Sequence, residues 1–152
     1  MSGLDVVSVQ DAIEAYVRAQ FPNYTVYDND VMNDDAIIKM GNKVKPYIVL
    51  RWGGLRNSNT GGSFAGVRHD EYYSTVDVAV VAPTSRQSRT SLGVVIDSMI
   101  GWKPAGSSPL APEGGMDTLG IPDYDGKPCV YLSSHRLRYA INGENVGANI
   151  TP

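Results

Sequence analysis

Residues 72 to 100 constrain the fold most, because two different periodicities meet there around one proline. From 72 to 82 the chain alternates, with Tyr72, Ser74, Val76, Val78 and Val80 on one side and Tyr73, Thr75, Asp77, Ala79 and Val81 on the other, the period of a half-buried strand. Pro83 stops it. Thr84 and Gln87 then have the spacing of a capping box, and Leu92, Val95, Ile96, Met99 and Ile100 recur at helical intervals, the apolar stripe of an amphipathic helix ending near Gly101. A strand and a helix that each carry an apolar side bury those sides in a shared core.

The flanking segments extend this pattern. Ser8 offers a hydroxyl N-cap with Asp11 at N3, and Val9, Ile13, Tyr16/Val17 and Gln20 follow at helical spacing, which predicts a first helix ending at Phe21-Pro22. Residues 24 to 27 read as a short extended piece, the Asp/Asn clusters at 28–30 and 33–35 as turns, and 37–40 as a strand end. Tyr47, Ile48, Val49 and Leu50 are apolar in succession, which predicts a strand buried on both faces and paired antiparallel with 72–82. Residues 53 to 63 are glycine-rich and predict a protruding loop. Residues 102 to 127, with four prolines and five glycines, predict a second long irregular connection. The last strand follows over 130–141, with Leu137, Tyr139 and Ile141 opposite Arg136, Arg138 and Ala140. The expected architecture is α+β: a single mostly antiparallel sheet of about four strands, two helices packed on it, and long projecting loops. Residues 1–142 form one domain and 143–152 a polar tail.

Composition removes several classes of function. With 42% apolar and 19% charged residues the chain carries enough buried material to fold. No apolar run approaches the roughly 18 residues of a membrane span, and the first residues lack the basic and apolar regions of a leader. The single cysteine, Cys129, forms no internal disulfide and no thiolate cluster. The neighbourhoods of His69-Asp70-Glu71 and His135 hold the only histidines, and adjacent strand residues point to opposite faces, so Asp70 and Glu71 do not share a metal on a regular strand. Pro122-Asp123-Tyr124-Asp125-Gly126-Lys127 has the letters of a metal-dependent nuclease signature, but the acids stand one residue apart in a turn sequence, not on neighbouring strands. The glycine-rich loop lacks the Gly-Lys-Ser/Thr ending of a phosphate cradle. No catalytic constellation, cofactor or metal site is expected.

Charge carries more information than its total of −3. Residues 1–35 balance to −6, residues 36–69 to +6 without a single acid, and the remainder to −3. A basic block serves either a nucleic-acid patch or self-complementarity between copies; a sequence pI near 5.2 favours the second. Trp52 and Trp102 adjoin the two long loops, where an aromatic pins the loop or an interface.

The layout resembles the tail terminator, or tail completion, proteins of long-tailed bacteriophages, chiefly through the run STVDVAVVAPTSRQSRTSLGVVIDSMIGW, the Tyr-Ile-Val-Leu-Arg-Trp strand and the glycine-rich loop after it. That resemblance implies a structural virion protein of the tail and neck, not an enzyme, assembled in the host cytoplasm. It implies a homo-hexameric ring that caps the tail tube, ends its polymerisation and presents a surface to the neck or head-closure protein. DNA passes through such a ring without sequence-specific binding. A head-closure or tube protein is the nearest alternative, and a small metal-dependent nuclease the alternative from the enzyme class. The residues expected at subunit or tube interfaces are Asp28, Asp30, Asp34 and Asp35, the bases Arg51, Arg56 and Arg68, and Trp52, Leu55, Phe64 and Trp102.

Overall fold

The computed structural model describes residues 5–28, 39–40, 43–57, 63–64, 67–68, 72–121 and 129–141. Its frame is a sheet whose central strand is the alternating segment. Strand β8 (Tyr72–Ala82) pairs antiparallel with β4 (Tyr47–Trp52) on one side and with β10 (Val130–Ile141) on the other. A short β1 (Thr25–Asp28) adds parallel to β4, and β9 (Ala111–Ile121) adds antiparallel to β10, giving the order β1-β4-β8-β10-β9. The two-residue β5 (Arg56–Asn57) continues alongside β8. Two small pairs stand off this sheet: β2 (Lys39–Met40) with β3 (Lys43–Val44), and β6 (Ser63–Phe64) with β7 (Val67–Arg68).

Both helices lie on one face. Helix α1 (Val6–Gln20) buries Val9, Ile13 and Val17, and α2 (Ser85–Met99) buries Leu92, Val95, Ile96 and Met99, against Ile48, Leu50, Val76, Val78, Val80, Leu137 and Tyr139 of the sheet. The Thr84 cap forms as read from the sequence, its hydroxyl accepting from Gln87 N at 3.1 Å. The α1 cap differs. Asp5, not Ser8, is the N-cap and accepts from Ser8 N at 2.9 Å, because starting a turn earlier lets Val6 pack against the core. The helices are tied together by the Tyr16 hydroxyl donating to Ser98 O (2.8 Å), and the segment after α1 is tied to α2 by the Tyr24–Ser91 hydroxyl pair (3.0 Å).

A second apolar cluster occupies the opposite face, with Val44, Tyr47, Val49, Ala79 and Val81 buried and Tyr27, Val130 and Leu132 half-buried. Burial of all four residues Tyr47, Ile48, Val49 and Leu50 matches the two-sided strand read from the sequence. The α+β class and two helices are as expected; the sheet is one strand wider than four. The irregular connection expected over 102–127 is corrected. Gly101 turns the chain with φ +86, Gly101 N and Leu110 N bond to Leu110 O and Trp102 O at 2.9 Å each, and Ser108 N bonds to Ala140 O at 2.8 Å. From Ala111 the chain then runs as an 11-residue strand. No helix among the described residues is long and apolar enough to cross a membrane.

Candidate functional site

The face away from the helices carries the charged surface. Register places Arg51 opposite Asp77, Asp77 opposite Arg136, and Arg136 opposite Glu113, so one rung crosses four strands with alternating sign. Arg136 Nε donates to Asp77 Oδ1 at 2.9 Å, and that carboxylate raises the guanidinium above its already high value. The two side chains are 54% and 38% exposed, so solvent screens the pair and it orients the rung more than it stabilises the fold. One rung further on, the Arg138 guanidinium lies 4.3 Å from the centre of the Tyr73 ring.

Beside the rung, β9 departs from regular pairing. Asp117 faces Ser134 and Glu113 faces Arg136, so Gly114, Gly115 and Met116 all oppose His135. Gly114 has φ +79, a left-handed conformation that glycine adopts without steric cost. The bulge encloses an open groove of about 330 Å³ lined by Arg51, Asp77, Glu113, Asp117, Ser134 and Arg136, among others. Its arginines and carboxylates nearly balance, which suits a charged protein surface of mixed sign.

β9 itself is the unusual element. Every one of its residues is exposed, including Met116 at 50%, Leu119 at 61% and Ile121 at 42%. It is nevertheless held from behind. Thr118 Oγ1 lies 2.9 Å from the buried Ser133 Oγ, which lies 2.8 Å from Ser88 Oγ on α2; Ser88 donates to Ser85 O at 3.0 Å, so the chain of donors runs Thr118 to Ser133 to Ser88. Leu119 and Ile121 stand opposite Leu132 and Val130 and so extend the second apolar cluster to the sheet edge.

The residues expected at interfaces do not gather in one place. Asp30, Asp34 and Asp35 lie outside the described residues, as do His69, Asp70 and Glu71. Asp28 ends β1 and accepts the Trp52 indole N–H, so these two residues are partners within one subunit. Trp102 stacks on Tyr16 with ring centres 4.0 Å apart, and both tryptophans are half-buried against the helix-side core. Arg51 lines the groove; Leu55 is exposed, and so is Arg56, which pairs with β8 as part of β5 where a protruding loop was expected; Phe64 and Arg68 fall in β6 and β7. The sequence gives no period for Glu113, Asp117, Leu119 and Ile121: Met116-Asp117-Thr118-Leu119-Gly120-Ile121 does not alternate, and Pro112 and the glycines carry turn preferences. Among the described residues no three His, Cys, Asp or Glu side chains gather as metal ligands.

No family model matches the chain, and no curated protein matches it. Solved structures resemble it, one of them over 91% of this chain and 93% of its own length at 14% identity and a TM-score of 0.49, a likeness too distant to bear on function.

Proposed function

We propose that the protein is a structural subunit of a long-tailed bacteriophage virion, a tail terminator that forms a homo-hexameric ring, ends growth of the tail tube and offers the joining surface to the neck. The observation that carries this reading is β9: eleven exposed residues, with three large apolar side chains among them, paired among the described residues with β10 alone. A solitary subunit gains little from such an arm; an assembling one uses it as contact surface. The two helices on one face and the mixed-charge groove on the other support it further, since a closed ring needs two different complementary surfaces on each copy. The sequence likeness over 72–102 favours the tail terminator among ring-forming proteins.

The test is tube growth. Tube protein polymerised with increasing amounts of this protein gives shorter tubes with an added ring at one end if it is a terminator. A tube protein instead co-assembles along the length, and a neck protein binds only tubes already terminated; either result replaces the reading.

A further inference from the structure

Among the described residues β9 is the last strand of the sheet, with its outer edge unpaired, and the devices that normally blunt such an edge are unevenly spread along it. Pro112, the charge of Glu113 and the glycine bulge at 114–115 protect its first half. From 116 to 121 there is no proline, one charge at Asp117, and regular register with β10, Asp117 through Ile121 facing Ser134 through Val130. Thr118 fixes this half to Ser133 and, through it, to α2. A preformed, rigid, half-apolar edge costs a joining strand little conformational entropy, because only the newcomer must be ordered.

Charge selects the occupant. Residues 104–126 contain Glu113, Asp117, Asp123 and Asp125 and no base, whereas residues 36–69 contain six bases and no acid. Two copies joined β9 to β9 would bring like charges together. The basic segment also contains strand-forming pieces, β2–β3 and β6–β7, that among the described residues pair only with each other, and two-residue strands have little stability of their own. We propose that the outer edge of β9, over residues 116–121, is a docking strand that receives a strand from the basic 36–69 segment of a second copy, extending the sheet from subunit to subunit. This inference rests on the ring reading and names the contact that builds the ring. Main-chain hydrogen bonds join the strands, Leu119 and Ile121 supply apolar contact, and Glu113 and Asp117 set polarity against the incoming bases.

Hydrogen exchange on the unmodified protein and association of charge variants test it together. In assembled rings the amides of 116–121 exchange at least tenfold more slowly than in dilute subunits; Glu113→Lys with Asp117→Lys weakens association at least tenfold, and mixing that variant with Arg56→Glu/Arg68→Glu partly restores it. Rings that form while 116–121 exchange at the subunit rate, or that survive the double reversal, overturn the docking strand and leave the ring reading intact. Dimers of wild-type with reversed copies that are tighter than either alone would mean β9 meets β9, and also overturn it. Failure of the wild-type protein to form rings, free or on tube ends, overturns the ring reading itself.

Discussion

Two buried hydroxyls on the helix-side face of β10 act in opposite directions on stability. Tyr139 is 0% exposed, and its Oη finds no hydrogen-bond partner among the described residues. The folded state therefore bears the desolvation of a phenol without compensation, a cost of about 1–3 kcal/mol. Tyr139→Phe removes the oxygen, keeps the ring's packing and is expected to stabilise by about 1 kcal/mol, a rise in Tm of roughly 2–4 °C for a domain of this size. Ser133 is also 0% exposed, but its Oγ bonds at 2.8 and 2.9 Å to Ser88 and Thr118. Ser133→Ala strands the Ser88 acceptor and loosens β9, at a cost of about 1–2 kcal/mol. Urea unfolding followed by tryptophan fluorescence reads both as a shift in midpoint at constant slope. A loss of 1 kcal/mol or more in Tyr139→Phe, or no change in Ser133→Ala, refutes the assignment of which hydroxyl is satisfied.

Three further outcomes follow from local geometry. Thr84→Ala removes the α2 cap and costs about 1 kcal/mol by the same unfolding assay, whereas Thr84→Ser costs a few tenths. Gly53→Ala puts a Cβ 2.2 Å from Thr75 Oγ1 and 3.2 Å from Thr75 O, so it destabilises; adding Thr75→Ala relieves the closer clash, and the double variant loses less than the two single losses together, measured as a thermodynamic cycle. The Tyr131 phenol titrates above the usual tyrosine value of 10.0, raised first by its hydrogen bond with Cys129, then by repulsion from the Cys129 thiolate, then by desolvation. Because the folded state favours the neutral phenol, this contact stabilises fully below the ordinary value and is lost as pH climbs through the raised one; Cys129→Ala moves the Tyr131 NMR titration back toward 10.0.

The sequence made the core legible because burial imposes a period. Alternation at 72–82 and 137–141 and the helical stripe from Leu92 to Met99 each point at the same buried face. β9 was not legible, because it has no buried face: all its residues are exposed, so no hydrophobic period marks it, and Pro112, Gly114, Gly115 and Gly120 carry local preferences for turns. Its conformation comes from antiparallel pairing with β10, the next strand in the chain, and not from a period of its own. β1 was legible as the short extended piece at 24–27, but its parallel pairing with β4 was not. Asp28 and Trp52 looked like separate surface residues because nothing in their spacing says that parallel pairing brings them together.

Closure of six copies into a ring, as proposed, fixes the stoichiometry of the particle at the tube end. Mass photometry and cryo-electron microscopy of the free protein, and of tubes incubated with it, are expected to give a six-fold ring of about 98 kDa, six times the 16.4 kDa chain, either free or seated on one tube end. A protein that stays at 16.4 kDa at high concentration and leaves tube ends bare, or that forms closed dimers, contradicts the account.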